Sequence, residues 1–397
     1  MSPRSKREYL EETALRYKNA SKSQKRIILD EFCLTYGCHR KHAIRLLRRY
    51  KRFTRPATRK RGPKPRYQGE AILKPLKAIW LAANLPCSKR LKPILALWLP
   101  GYEQLNGVLA EDVSQRLLRI GPATIDRLLK PVRVQYKRHA WTTTKPGTLL
   151  RNQIPIATNQ WDQTRPGFLE ADTVAHCGAS MGGQFAYTID CVDIATGWTE
   201  QRAVWGRGEY GVLEQLRQIE QVLPFPLLGF DCDNGGEFLN YHLQRHFLHR
   251  KQPVQFTRSR AYHKDDNAHI EQKNWTHVRQ WLGYERFDNP AVVPLLNELY
   301  RHEWRLFHNF FCPSAKLLAK QRIGSKIVKR HDAPKTPYQR LLQSPHIPQA
   351  TKNALTQQLG TLNPFSLRKT MEAKLKKISK CCYKETLPGQ RPSLSAR

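Results

Sequence analysis

Three acidic residues stand where apolar runs meet polar turns. Asp172 lies inside the β-prone run Leu169-Glu170-Ala171-Asp172-Thr173-Val174. A carboxylate in mid-strand is costly to bury unless it is paired or metal-bound. Asp233 ends a second apolar run and opens Asp233-Asn234-Gly235-Gly236-Glu237-Phe238. Glu271 falls near the start of a helical pattern, in Asn267-Ala268-His269-Ile270-Glu271-Gln272-Lys273-Asn274-Trp275. Converging carboxylates bind hard divalent cations through oxygen. Two such ions, about 4 Å apart, stabilise charge on both the attacking and the leaving oxygen of a phosphodiester. Spacing alone leaves alternatives open. Glu170 shares a strand face with Asp172, and Asp231 shares one with Asp233, because side chains alternate along a strand. A Glu in a helix's first turns is by itself a dipole-compatible surface residue. Asp190, Asp193 and Glu237 are reserves with a structural or solvent-facing role expected. His176 and His269 are candidates for proton transfer, although a bland role is the commoner one. Trp275 reads as core.

The elements that must position these groups begin at Gly167. Strands are expected at 168–175, 184–194, 198–205, 227–232 and 254–257, with Gly182-Gly183 as a tight turn between the first two. Helices are expected at 210–223, 238–249 and 267–282 from their apolar spacing. The order β-β-β-α-β-α-β-α is that of an RNase H-like fold, with a mixed five-stranded sheet flanked by helices.

The flanks are helical and basic. The chain has 397 residues and a formal net charge of +36, a field that attracts polyanions. In residues 1–66, two helical patterns, 25–36 and 39–50, are separated by Gly37, which sketches a helix-turn-helix. Arg40, Lys41, Arg45 and Arg48 fall on one face of the second helix and are candidates for duplex contact. The run 51–66 reads as a basic arm. Residues 67–136 read as a second helical, helix-turn-helix-like unit, 137–166 as a linker, 167–290 as the α/β core, and 291–397 as a helical basic region with a disordered tail. The whole is therefore expected to be α+β and multidomain. No apolar run is long enough to span a bilayer, and the charged first thirty residues lack a signal-peptide core, so a cytoplasmic, nucleoid-associated protein with no membrane partner is expected. Nine scattered cysteines form no CxxC pair, so reduced thiols are expected rather than zinc ligands.

Taken together, Glu-Ala-Asp172-Thr, Asp233-Asn-Gly-Gly-Glu-Phe and Asn267-Ala-His-Ile-Glu271-Gln-Lys-Asn resemble the catalytic core of DDE transposases and retroviral-type integrases over roughly residues 160–290. The flanks look like those of bacterial insertion-sequence transposases, and the zinc module of retroviral integrases has no counterpart here. The resemblance favours Asp233 over Asp231, because Asp233 directly precedes Asn-Gly. It implies that Asp172, Asp233 and Glu271 hold Mg²⁺, with Mn²⁺ as a substitute. It also implies cleavage at element ends followed by strand transfer of the 3′-OH into target DNA, in a homodimer or higher synaptic oligomer on double-stranded DNA. Lys264, Lys273 and Arg279 are then expected to touch DNA phosphates. Two other readings use the same residues differently: a nuclease of RNase H-like fold without strand transfer, and a non-catalytic DNA-binding regulator.

Overall fold

A computed structural model describes residues 1–50, 67, 69–136, 164–232, 237–238, 240–258 and 268–383. The expected basic arm at 51–66, almost all of the expected linker and the tail after 383 lie outside the described residues. The chain divides into two compact units, Met1–Arg66 and Tyr67–Arg397.

The first unit contains α1 (Pro3–Asn19), α2 (Lys22–Tyr36) and α3 (Arg40–Arg49). Ser21 and Gln24 start α2 with a reciprocal capping box, which satisfies two otherwise orphaned amides. Gly37 ends α2 at φ 70°, a conformation that costs glycine nothing. Phe32, fully buried, stacks between Tyr9 and Tyr36 and joins α1 to α2, while Ala43 and Leu47 bring in α3.

The second unit is α+β. Its sheet comprises β1 (Phe168–Ala175), β2 (Ala186–Asp193), β3 (Thr199–Trp205), β4 (Gly229–Cys232) and β5 (Gln255–Arg258). The spatial order is β3-β2-β1-β4-β5. Strands β1, β2 and β3 form an antiparallel meander, and β4 and β5 add in parallel. Parallel additions need crossovers, supplied by α8 (Glu209–Val222) and α9 (Tyr241–Leu248). Gly229 permits the close approach of β4 to β1, since a Cβ there would lie 2.4 Å from the Phe168 ring. The link from β1 to β2 is not the expected two-residue turn. It spans residues 176–185 and is gathered by Arg286, whose guanidinium donates to the carbonyls of Cys177, Ser180 and Gly182.

Edge strand β3 is covered on its free side. Asn297 and Asn309 pair amide-to-backbone with Ala203 and Thr199, each donating and accepting once at 2.8–2.9 Å. This removes an open edge that would otherwise template further pairing. Both asparagines come from a helical stretch that begins as Val292–Leu299 and continues through π-helical segments Tyr300–Trp304 and Phe307–Phe311.

Helices α4 (Glu70–Ala82), α5 (Ser88–Asn106), α6 (Glu111–Arg119) and α7 (Pro122–Gln135) do not form a separate core. Their apolar faces belong to the same continuous cluster as the sheet and the C-terminal helices. Trp98 of α5, fully buried, meets Phe307, Phe311 and Phe365 edge-on and donates from Nε1 to the Phe311 carbonyl. The C-terminal region is not wholly helical. A two-stranded ribbon, β6 (Leu317–Ile323) and β7 (Lys326–His331), interrupts it before the helices Pro337–Gln343, Gln349–Thr361 and Pro364–Tyr383. No described helix is long and apolar enough to cross a membrane.

Candidate active site

Asp172 sits on β1 directly across from Asp190 of β2. The last described β1–β4 pair is Ala171 with Cys232, so Asp172 stands one position beyond it. Asp233 follows Cys232 in the chain and lies outside the described residues, as do residues 234–236 and Lys264. Glu271 is exposed on α10 (Ala268–Lys273), which continues through a π-helical segment, Asn274–Arg279, into the short helix Gln280–Leu282.

Two hydrogen bonds lay this helix along β1. Glu170, buried, accepts from the Ile270 amide at 3.1 Å through Oε2. It thus serves an orphan donor of the helix's first turn from a neighbouring strand. Asn274 Nδ2 donates to Asp172 Oδ2 at 2.6 Å. The two anchors are commensurate. Two residues of strand advance about 6.7 Å, and four residues of α-helix advance about 6 Å. Glu271 follows the first anchor immediately, so its backbone is fixed relative to Asp172. Glu170 and Asp172, which share a strand face, differ in their surroundings: Glu170 is buried and engaged with the helix amide, and Asp172 is the half-exposed member of the pair. Asp231 is engaged with the Thr257 hydroxyl on β5, at 2.6 Å.

Behind Asp172 lies a buried polar layer. Burial pushes the Asp190 carboxyl up to about 7, against the hydrogen bond from Gln201 Nε2 and the positive charge of Lys273. Lys273 is only 7% exposed, with Nζ 3.4 Å from His277 Nε2. Burial draws its ammonium down to about 8, against the Asp190 charge. His277 stacks on His308 with ring centroids 4.1 Å apart, and burial first, then neighbouring positive charge, holds both imidazoles well below the usual range. An ammonium in this layer does not reach a phosphate at the surface, so the expected DNA role of Lys273 gives way to one inside the fold. Arg279 is likewise committed to structure. It donates to the Ala175 carbonyl at 2.7 Å and lies over the Tyr284 ring. Trp275 is 40% exposed rather than core. His176, fully buried, bonds Thr188, which bonds the Tyr300 hydroxyl, and burial lowers it to about 3. Asp193 caps the β2–β3 turn through Thr196 and the Gly167 amide. Glu237 accepts from the Thr173 hydroxyl on the opposite face of β1.

The expected ligands would supply carboxylate oxygens alone, the donor set that suits Mg²⁺ or Mn²⁺. Asn274 Oδ1 and Asp190 Oδ2 are buried oxygens that receive no hydrogen bond from the described residues. Orphaned acceptors of this kind call for a proton, water or cation nearby. Among the described residues no three His, Cys, Asp or Glu side chains already form a metal-holding group.

No protein-family model matches the chain. Over 335 residues it is 39% identical to the "Uncharacterized protein y4rM" of Sinorhizobium fredii (strain NBRC 101917 / NGR234), an alignment covering 84% of this chain and 94% of that protein. The chain belongs to the y4rM family.

In this y4rM-family chain the basic residues expected on α3 lie mostly at the surface. Lys41, Arg45 and Arg48 are exposed, and Arg40, half-buried, pairs with Asp30 of α2. His39 caps α3 by accepting from the Lys41 amide. The residue that sequence reasoning missed is Asn274. It was visible only as part of a motif, and its reach to Asp172 depends on how the helix docks.

Proposed function

We propose that the chain is a DDE transposase with an RNase H-like catalytic core and a helix-turn-helix DNA-binding region in its first unit. The observation that carries this reading is the pairing of Asn274 with Asp172, which draws the Glu271-bearing helix onto the strand that bears Asp172. The meander-then-crossover sheet order and the surplus of positive charge support it.

Asp172, Asp233 and Glu271 would hold Mg²⁺, or Mn²⁺ in its place. When bound, the ions would stabilise charge on the attacking and leaving oxygens of a phosphodiester. The chain's own part is positional. Asn274 fixes the Asp172 carboxylate, and Glu170 fixes the start of the Glu271 helix. Lys41, Arg45 and Arg48, with Arg40 at the edge of the face, would engage element ends through phosphates and base edges. Double-stranded DNA is the substrate, and two ends joined in one event imply a homodimer or larger assembly.

The test is strand transfer. Duplexes carrying the DNA that flanks the gene, pre-cut to expose a 3′-OH, are mixed with supercoiled target and Mg²⁺. Joined products that vanish with Asp172→Asn, Asp233→Asn or Glu271→Gln support the proposal. Cleavage without joining would make the protein a nuclease. Duplex binding that is unchanged by these substitutions, with no cleavage at all, would make it a regulator.

A further inference from the structure

The β6–β7 ribbon has no part in the site above. Both strands are exposed along their whole length. They join through Gly324-Ser325, with Gly324 at φ 60°. Between Lys316 and His331 there is no Asp or Glu, whereas Lys320, Arg322, Lys326, Lys329 and Arg330 all fall within the ribbon. Its root is firmly held. Lys316 Nζ donates to the Ile194 carbonyl at 2.5 Å, at the β2–β3 turn, and to that of Ala195. Asp332 accepts from the Lys316 amide at 2.6 Å and from Arg340, which also donates to the Ser314 carbonyl. The blade is therefore presented by the core sheet and buries nothing itself. A two-stranded ribbon gains little stability alone.

The register divides its side chains. Lys320 pairs with Lys329 and Arg322 with Ile327, which puts three cations on one face. Ala319 pairs with Arg330, Gln321 with Val328 and Ile323 with Lys326, which puts two more on the other. Cations on both faces suit a partner with negative walls on both sides. The major groove of duplex DNA admits a two-stranded β-ribbon between two rows of phosphates. A membrane surface would need one face free of charge, and the same ribbon of a second copy, equally rich in cations, would be repelled.

We infer that the β6–β7 ribbon is a DNA-binding arm that enters a groove of the duplex. The inference rests on the transposase reading only in taking duplex DNA as the partner. The test uses the full chain and a random-sequence duplex, with affinity measured by fluorescence anisotropy across a salt series. Lys320→Gln, Arg322→Gln and Lys329→Gln together should lower affinity at least tenfold at low salt. The log–log salt slope should shrink by about 2–3, at roughly 0.9 for each phosphate that the ribbon no longer neutralises. The melting temperature should not move, because the altered side chains are exposed. A photo-crosslinking residue at Gln321 should label the duplex strands. An unchanged slope, or crosslinks only to a second copy of the chain, would overturn the inference. So would ribbon-dependent binding to phosphatidylserine vesicles with duplex binding intact. Measuring Mg²⁺-dependent cleavage by the unaltered chain beside the same series separates the two claims. A ribbon effect without any metal-dependent cleavage leaves the inference standing and removes the transposase reading. Cleavage with no ribbon effect does the reverse.

Discussion

Replacing Asn274 removes a 2.6 Å bond to Asp172 while leaving the three proposed ligands in the chain. A hydrogen bond to a charged acceptor contributes about 1.5–3 kcal/mol. At about 1.4 kcal/mol per decade, its removal from the reacting geometry should slow strand transfer roughly 10- to 150-fold. Asn274→Ala tests that effect. Asn274→Asp should be more severe, because it sets a second carboxylate where a donor stood and like charges at that separation oppose joint ionisation. The assay is Mg²⁺-dependent joining of pre-cut ends, with thermal melting measured in parallel. Melting matters because Asn274 also ties the helix to the sheet, and a variant that loses activity at an unchanged melting temperature isolates the positional effect. If both variants stay within about twofold of the parent while Asp172→Asn is inactive, the bond has no part in the chemistry. If Asp172→Asn is fully active, the carboxylate reading itself is wrong.

Other expectations concern the scaffold. Glu200 is buried, accepts from Arg305 through Nε and Nη2 and from the Trp198 indole, and lies 3.6 Å from Arg202, itself 1% exposed. Glu200→Ala leaves that guanidinium uncompensated and should cost about 3–5 kcal/mol in denaturant unfolding. A cost below about 1 kcal/mol would mean that water reaches the cluster. Trp98→Ala should cost a similar ~3–5 kcal/mol, from the cavity it leaves. A chain without residues 67–136 should fail to give a cooperative melt, whereas an independent second DNA-binding unit could be removed harmlessly. Asp190 has a folded-state value of about 7, above the ordinary 3.8. Between those values the folded state holds a proton that the unfolded state has released, so stability should fall as pH rises from about 4 through 7. Asp190→Asn should flatten that part of the stability–pH profile, and a profile unchanged by the substitution would refute the assignment.

The sheet was legible because its strands alternate or run apolar between turn residues, and because α8 and α9 carry clear 3.6-residue spacing. The α2–Gly37–α3 turn was legible for the same reason. The ribbon was not. Its strands are exposed on both faces, so no apolar alternation marks them, and Lys-rich sequence reads as solvated helix. The usable signal was Gly324-Ser325 between Ile323 and the Ile327-Val328 pair, a two-residue turn flanked by β-branched residues. The dependence of residues 67–136 on the rest of the unit was invisible because an apolar helix face does not say what it packs against. Lys273 and Trp275 exchanged their expected places, Lys273 inward and Trp275 outward. A helix wheel at about 100° per residue puts Lys273 on the face of Ile270 and His277, and Trp275 away from it, so the exchange follows from which face meets the sheet.

The docking of this helix bears on how the proposed site of three distant carboxylates would be held. A surface Glu on a mobile helix would wander relative to a strand Asp, and ligand geometry tolerates errors of only about half an ångström. Here the two elements are joined on both sides of Glu271: Glu170 holds the amide before it, and Asn274 holds Asp172 from one turn after it. Lys273 and His277, four residues apart on the same helix face, enter the buried layer while Glu271 stays in solvent. An uninterrupted α-helix puts residues 270, 273, 274 and 277 on one face. The Trp281 indole donates to the Thr276 carbonyl five residues back, within the widened turn. The buried layer and the exposed carboxylate thus belong to different faces of one helix, and the face that carries Lys273 inward also carries the Asn274 donor to Asp172.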